Sequence, residues 1–241
     1  MNQVRYAVAA VTDVGLVRSL NEDAYLERPD LGLWVVADGM GGHESGDLAS
    51  RTIVEELARV RRPASAPALV AEVKAAVARA NAALRQEALS RGPEAVIAST
   101  VVGLLVIEGF FACFWAGDSR LYLLRAGRMS QVTRDHSLVQ ELVDEGVITE
   151  EEAQRHPRAN VITRAVGGAD ELDLEFRQGR LFANDTFLLC SDGLTRPVPD
   201  PSIARLLGTL PVVQSAHALV DAAIESGGPD NVTVVVVKSL P

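Results

Sequence analysis

The sequence is poor in basic residues and contains no long basic run. Its 241 residues hold 23 Lys plus Arg against 32 Asp plus Glu, which gives a net charge of −9. The longest basic run is the dipeptide Arg61-Arg62. Proteins that hold phosphate backbones need basic patches to displace counterions. We therefore expect no binding to nucleic acid.

The sequence also lacks a long apolar run, and it has only two cysteines. No apolar run approaches the roughly 20 residues that span a bilayer, and the N-terminal MNQVR lacks the apolar segment of a signal peptide. A cytoplasmic protein without membrane contact is expected. Cys113 and Cys190 stand in apolar runs, so we expect two reduced core residues, with a single disulfide as the alternative.

Aromatic residues make up only 5% of the chain, whereas hydrophobic residues in total make up 48% and charged residues 23%. This composition is typical of a folded globular protein. The shortage of aromatic residues predicts a core built mainly from Ala, Val and Leu.

Hydrophobic periodicity predicts an α+β fold with the helices packed outside the sheets. Strands are predicted at 6–11 and 33–37, helices at 45–60 and 68–89, and an antiparallel meander at 100–107, 110–115, 121–125 and 129–132. The polar stretch 135–173, with short helices at 137–145 and 150–155, is predicted as an insertion or flap. A strand at 186–190, a helix at 214–225 and a Val-rich strand at 232–237, covered on both faces, complete the pattern.

Acidic residues recur where predicted strands end in turns. Asp38-Gly39, Gly117-Asp118 and Asp192-Gly193 share this position, Asp230 stands just before the last strand, and Glu22-Asp23 precedes a short apolar stretch. Each one alone is typical of an ordinary turn. Together, carboxylates from distant segments with no Cys or His cluster among them suit a hard divalent cation, Mg²⁺ or Mn²⁺ rather than zinc.

Clustered carboxylates raise each other's pKa and repel one another, and divalent cations remove that repulsion. Two such ions roughly 4 Å apart can hold a bridging hydroxide and clamp both oxygens of an in-line displacement. Such a site still needs a cation that orients the phosphoryl oxygens. Arg18, four residues before Glu22, is the candidate, because a guanidinium matches phosphate geometry.

Short motifs follow one another along the chain: TDVGLVRSLNED at 12–23, VADGMGG at 36–42, GDSR at 117–120, NVITRAVG at 160–167, SDGL at 191–194 and DNVT at 230–233. In this order they resemble the motifs of metal-dependent protein phosphatases of the type 2C serine/threonine class. The NVITRAVG segment is similar to one that bacterial members carry after their flap. The resemblance covers nearly the whole chain, from Thr12 to Val237.

The resemblance implies a four-layer α-β-β-α sandwich of two antiparallel sheets flanked by helices. It implies one catalytic domain over residues 1–241, with a flap subdomain at about 137–173 that shapes the substrate groove. The implied activity is hydrolysis of phosphoserine and phosphothreonine in proteins by in-line attack of a hydroxide that bridges two metal ions. The alternatives are an inactive phosphoprotein-binding module of the same fold and a small phosphate-ester hydrolase.

The resemblance also implies which residues hold two Mn²⁺ or Mg²⁺ ions. Asp38 would bridge both, with Asp192 and Asp230 completing one ion. Glu22 and the Gly39 carbonyl would serve the other, directly or through water.

Four further residues take their expected roles from the same resemblance. Asp118, with Asp192, matches a third and weaker metal position. Arg18 would hold the substrate phosphate. Asp23 and Asn231 would support the ligands, and their loss should weaken activity without abolishing it.

One position departs from the animal members of the family, which carry a His directly after the Asp-Gly of the first metal turn. Met40 stands there, and a thioether cannot donate a proton. The acid that protonates the leaving group is therefore a metal-bound water, His43 or nothing, and we favour the water. The other three histidines are expected to be ordinary surface or hydrogen-bonded residues: His136, His156 and His217.

The implied partners are phosphorylated proteins, targets of a serine/threonine kinase. A monomer is expected. Because the chain reaches only a few residues beyond its last predicted strand, we expect no transmembrane or forkhead-type regulatory extension.

Overall fold

The computed structural model describes residues 5–41, 45–62 and 65–241. The strands are β1 (Tyr6–Asp13), β2 (Asp23–Arg28), β3 (Leu33–Met40), β4 (Ala98–Ser99), β5 (Val101–Ile107), β6 (Phe110–Ala116), β7 (Arg120–Arg125), β8 (Arg128–Gln131), β9 (Glu175–Arg180), β10 (Thr186–Cys190) and β11 (Val232–Ser239). The helices are α1 (Ser45–Ala58), α2 (Ala66–Arg91), α3 (Leu138–Asp144), α4 (Glu150–Gln154), α5 (Asp192–Thr195), α6 (Asp200–Thr209) and α7 (Val212–Glu225).

The strands form two antiparallel sheets. The first has the order β1-β11-β10-β7-β8, and the second has the order β2-β3-β5-β6-β9, with the short β4 paired to β3. Strand β11 lies inside the first sheet, where Val234 is opposite Val11 on one side and Cys190 on the other. The last strand is therefore hydrogen-bonded along both of its edges.

Three apolar clusters join four layers of secondary structure. Trp34 of the second sheet and Val235 of the first sheet belong to the cluster between the two sheets. Ile53 of α1 and Val73 of α2 cover the outer face of the second sheet. Leu219 of α7 belongs to the cluster on the outer face of the first sheet. The four-layer sandwich predicted from the sequence is confirmed.

Alternate residues of β11 point into different clusters, as the Val-rich run predicts. Val235 and Val237 belong to the cluster between the sheets, whereas Val234 and Val236 belong to the cluster under α7. The prediction that this strand is covered on both faces is confirmed.

The prediction of one meander over 100–132 is wrong. Strands β5 and β6 form a hairpin in the second sheet, and β7 and β8 form a hairpin in the first sheet. The Gly117-Asp118 turn carries the chain across the sandwich. Gly117 has φ +112°, and a Cβ there would come within 2.6 Å of the Thr100 side chain, so this crossing requires glycine.

The core contains both predicted cysteines and more aromatic bulk than the composition suggests. Cys113 and Cys190 are buried and free, which confirms the expectation of reduced core residues. Trp34, Trp115 and Tyr122 are fully buried. Within the described ranges, none of the helices has the length and apolar character needed to cross a membrane.

Candidate metal centre

Five parts of the chain bring the predicted acidic residues into one neighbourhood. The prediction that Asp38 stands in a turn after its strand is wrong, because β3 continues to Met40. Asp23 begins β2 directly opposite Asp38 in β3. Asp118 lies in the crossing between the sheets, Asp192 begins α5 directly after β10, and Asp230 precedes β11. The carboxyl group of Asp38 feels the charges of the other four aspartates, so the structure places all of them around it.

The main chain at Asp38 is fixed by hydroxyl groups and a neighbouring strand. The Asp38 amide donates to Thr100 Oγ1 at 3.1 Å, and the Asp38 carbonyl accepts from the Thr100 amide at 2.8 Å and from Ser99 Oγ at 2.9 Å. Thr100 Oγ1 also shares a hydrogen bond of 2.7 Å with Ser119 Oγ. Thr100 thus ties the Asp38 segment to the residue that follows Asp118.

Asp23 is a buried carboxyl group that joins the two sheets. Its Oδ2 accepts a hydrogen bond of 2.8 Å from Ser191 Oγ, which in turn accepts from the Thr233 amide at 3.0 Å. Its Oδ1 is buried without a hydrogen-bond partner among the described residues. Burial raises the pKa of Asp23 to about 7, and the nearby hydroxyl groups of Thr233 and Ser191 oppose this rise.

The other central carboxyl groups also resist ionisation. Burial and the nearby charge of Asp192 raise the pKa of Asp118 to about 7, against the lowering effect of Arg196. Burial holds the pKa of Asp38 well above its usual range, and the Asp23 and Asp192 charges act in the same direction. Burial raises the pKa of Asp192, whereas the nearby Arg196 lowers it. The cluster therefore holds protons that a cation would displace.

Glu22 is held against the start of α1. Its Oε1 accepts a hydrogen bond of 3.1 Å from the Gly46 amide, in the first turn of the helix, where free backbone amides favour a negative charge. A Cβ on Gly39 would lie 1.9 Å from the Gly46 carbonyl oxygen, and a Cβ on Gly46 would lie 2.4 Å from Glu22 Oε1. Two glycines therefore allow the helix to approach the site this closely.

Asn231 connects the loop before β2 to the last strand through three hydrogen bonds. Its Oδ1 accepts from the Glu22 amide at 2.8 Å, and its Nδ2 donates to the carbonyls of Val14 and Leu20 at 2.8 and 3.0 Å. Residues 14–22 carry Arg18 and Glu22. Asn231 thus positions the segment that carries both of these side chains.

Two arginines lie beside the acidic cluster. Arg18 Nη2 donates to Asp230 Oδ2 at 2.9 Å, and its side chain is half exposed. The Asp230 partner raises the pKa of Arg18, with smaller contributions from Glu22 and Asp192. Arg196, one turn after Asp192 in α5, forms ion pairs with both Asp192 and Asp118.

One of the histidines predicted to be ordinary hydrogen-bonded residues lies beside the site. His136 is buried, accepts from the Gly117 amide through Nδ1 at 3.2 Å and pairs with Glu175 Oε2 through Nε2 at 3.0 Å. It is a hydrogen-bonded structural residue, as predicted, and it supports the turn that carries Asp118. The candidate acid His43 lies outside the described residues.

Several residues that shape the site were not identified from the sequence as part of it. Thr100, Ser191 and His136 position the acidic turns, and Arg196 adds a positive charge. Ser191 directly precedes Asp192 in the SDGL motif, which is a usable signal. Arg196 has no sequence signal beyond an ordinary i,i+4 spacing from Asp192, because its approach to Asp118 depends on the fold.

The donor set suits a hard divalent cation, although the side chains are not arranged as a finished ligand group. Within the described ranges, no three His, Cys, Asp or Glu side chains are placed together so as to hold a metal ion. Three of the carboxylates instead form ion pairs with Arg18 or Arg196. However, the available donors are oxygen atoms, and Asp118 Oδ1 is buried without a partner in the described part of the chain. Such an atom is stabilised by a cation.

Comparison with known proteins agrees with this geometry. The family model described as Protein phosphatase 2C matches residues 17–224. Serine/threonine protein phosphatase PstP of Mycobacterium tuberculosis is 42% identical over 234 residues, which are 97% of this chain and 44% of the relative. The chain belongs to the protein phosphatase 2C family, as the resemblance of its motifs predicts.

Solved structures of related proteins have the same fold. PppA of Pseudomonas aeruginosa, described as a key regulatory component of T6SS, is 43% identical with a TM-score of 0.90, and 98% of each chain is covered. The catalytic domain of serine threonine protein phosphatase PstP, in complex with two manganese ions, is 39% identical with a TM-score of 0.88, and 99% of each chain is covered. The chain thus spans less than half of full-length PstP but nearly all of its catalytic domain.

Proposed function

We propose that this chain is a metal-dependent serine/threonine protein phosphatase that hydrolyses phosphoserine and phosphothreonine in proteins. The observation that carries the proposal is the set of aspartates around Asp38, which come from separate segments of the chain and are largely shielded from water. A fold gains no stability from grouped carboxylates, so their grouping argues for a cation. The manganese-bound PstP structure supports two ions of this kind.

Asp38, Asp192 and Asp230 would hold one Mn²⁺ or Mg²⁺ ion, and Asp38, Glu22 and the Gly39 carbonyl would hold the other. When bound, the ions make a water molecule nucleophilic at neutral pH and balance the charge of the phosphoryl group. Burial raises the pKa of both Asp38 and Asp192, and binding of the ions would favour their ionised forms, because ligand carboxylates must be ionised.

Arg18 would orient the substrate. Its guanidinium pairs with Asp230 at the surface, where the side chain is half exposed, so an incoming phosphoryl group can reach it. A guanidinium can grip two phosphoryl oxygens at once. When the substrate binds, the guanidinium of Arg18 would leave Asp230 and pair with the phosphoryl group.

Protonation of the leaving alkoxide has no side-chain donor at Met40. We propose that a water molecule at the metal centre fills this role, with His43 as the alternative. If His43→Ala leaves the pH–rate profile for a phosphoserine peptide unchanged, His43 is not the acid.

We also propose that the flap at about 137–173 determines peptide preference. Hydrogen bonds close its first part on itself: the Leu138 amide donates to the Val161 carbonyl and the Thr163 amide to the His136 carbonyl, both at 2.9 Å. The chain between these contacts can therefore be replaced with little disturbance to its ends. Exchange of residues 139–160 with those of a relative should change peptide preference and leave turnover of a small aryl phosphate nearly intact.

The test of the main proposal is phosphate release from matched phosphothreonine, phosphoserine and phosphotyrosine peptides in Mn²⁺, Mg²⁺ or EDTA. We expect activity on the first two that requires the metal. Activity that survives EDTA, or a preference for phosphotyrosine, would contradict the proposal. Binding of phosphopeptides without turnover would favour the inactive module, and turnover of small esters alone would favour the small-ester hydrolase.

Two aspartates at opposite ends of β10 provide matched variants. Asp192→Asn should abolish metal-dependent activity, because it removes a shared ligand. Asp185, directly before the same strand, is buried and paired with Arg125 at 2.7 Å, so Asp185→Asn should reduce stability but retain the metal requirement. Equal loss of activity in both variants would indicate general unfolding.

The expected partners are phosphorylated proteins that a serine/threonine kinase modifies, and we propose no nucleic-acid partner. The cytoplasmic location and the monomeric state stay predictions from the sequence.

A further inference from the structure

Arg196 occupies the space between two carboxylates of the acidic cluster. Its Nη2 lies 3.5 Å from Asp118 Oδ2 and in closer contact with Asp192 Oδ2. The Asp118 and Asp192 side chains are only 8% and 11% exposed, whereas Arg196 is 34% exposed. One guanidinium therefore forms ion pairs with two buried carboxylates on one side and is exposed to solvent on the other.

The backbone of Arg196 is held in place by the short helix α5. Its amide donates to the Asp192 carbonyl at 2.9 Å, and Leu194 is fully buried. A Cβ on Gly193 would lie 1.9 Å from the Asn231 carbonyl oxygen, so the helix packs tightly against the residue before β11. The guanidinium thus stays within reach of both carboxylates, and only rotation of its side chain can remove it.

We propose that Arg196 is a built-in cation that takes the place of a divalent ion at the Asp118–Asp192 pair. The inference rests on the proposed metal centre. Arginine stays positively charged at any pH the protein meets, so the pair is already partly neutralised. A divalent ion can bind Asp118 in two ways. Either the guanidinium first rotates towards solvent, or the ion binds against the repulsion of the guanidinium charge.

This assignment makes Arg196 a determinant of how many ions the centre binds. A guanidinium about 5 Å from a divalent ion weakens its binding by about tenfold even when the interaction is screened as in bulk water. The centre would then work with the ions that Asp38, Asp192, Asp230 and Glu22 hold. Asp118 would contribute little to metal binding at submillimolar Mn²⁺.

Titration of the full chain with Mn²⁺, read by the electron paramagnetic resonance signal of the free ion, tests the inference without activity. Arg196→Gln removes the charge and should gain one additional ion, or bind the weakest ion about tenfold more tightly. Arg196→Lys keeps the charge and should bind as the parent chain does. The gain should disappear when Asp118→Asn is added to Arg196→Gln.

Arg205→Gln is the matched control, because Arg205 is exposed on α6 and forms no ion pair within the described ranges. It changes the net charge equally and should leave the isotherm unchanged. An unchanged isotherm for Arg196→Gln, or a gain that persists with Asp118→Asn, would overturn the inference. A parent chain that binds no Mn²⁺ would overturn the proposed function as well, whereas two bound ions with no gain overturn only the role of Arg196.

A second measurement does not depend on the folding of an Arg196 variant. The parent chain and Asp118→Asn should bind the same number of Mn²⁺ ions at submillimolar metal. Loss of an ion from Asp118→Asn under these conditions would show that Asp118 already holds a metal beside Arg196, and the inference would fail.

Discussion

The substitution Asn231→Ala tests whether the metal centre depends on a single amide that holds the loop at 14–22. The change removes three hydrogen bonds of 2.8, 2.8 and 3.0 Å, to the Glu22 amide and to the carbonyls of Val14 and Leu20. At about 1 kcal/mol of net stability for each bond, the free energy of unfolding should fall by about 3 kcal/mol. Glu22 also loses its anchor, so Mn²⁺ affinity should fall about 10–100-fold.

The chain contains a matched control for this change. Asn81 is 4% exposed and Asn231 is 5% exposed. Asn81 also makes three hydrogen bonds to main chain, with the Gly167 amide at 2.7 Å and the carbonyls of Ala169 and Asp170 at 3.0 and 3.4 Å. Asn81→Ala should therefore cost a similar free energy of unfolding without a matching loss of metal affinity.

Urea unfolding in EDTA measures the stability of both variants, and calorimetric titration with Mn²⁺ measures their affinity. The two variants should lose similar stability and differ in Mn²⁺ affinity by at least about tenfold. If Asn231→Ala binds Mn²⁺ as tightly as the parent chain, or if both variants lose affinity equally, Asn231 does not position the ligands in the way described.

Three further predictions follow from the same site. Mn²⁺ at about 100 times its Kd should stabilise the fold by about 2.7 kcal/mol, and an unfolding temperature unchanged by millimolar metal would count against the centre. In EDTA, the free energy of unfolding should fall as pH rises from about 4 to about 7. Folded Asp23 and Asp118 keep protons up to a pKa of about 7 that the unfolded chain releases near 3.8; urea titrations at pH 5 and pH 8 with equal midpoints would contradict this. Arg18→Ala should raise KM for a phosphopeptide about tenfold and leave Mn²⁺ binding as tight or tighter, since Asp230 loses its competing partner; a weaker Mn²⁺ isotherm would refute that role.

The sequence predicts the elements whose periodicity is strong. Helices α1 and α2 and strand β11 were all expected near their observed bounds, because their apolar residues recur on one face or fill a strand buried on both faces. The acidic residues could be located for a similar reason, since each follows or precedes an apolar run, although Asp38 lies inside β3 and not in a turn after it.

Several elements were missed by the sequence analysis. Helix α6 has ten residues and buries Ile203 and Leu207, and its pattern was overlooked, whereas β9 and α5 are polar or short. Strand β9 carries Arg177, Gln178 and Arg180 and lies at the edge of the second sheet, where polar side chains are tolerated. Helix α5 has four residues, too few for a helical pattern. Their positions follow from tertiary packing, and so does the approach of Arg196 to Asp118.

The pairing of β1 with β11 has a consequence for the order in which the protein is made and folded. Thr12 and Thr233 share a hydrogen bond of 2.7 Å across 221 positions of sequence. A chain growing on the ribosome therefore holds Glu22 and Asp38 long before Asp230 and Asn231 exist. Contacts this distant in sequence form slowly. The centre should thus be among the last parts to form, and nascent chains should acquire metal affinity only after β11 has left the ribosome.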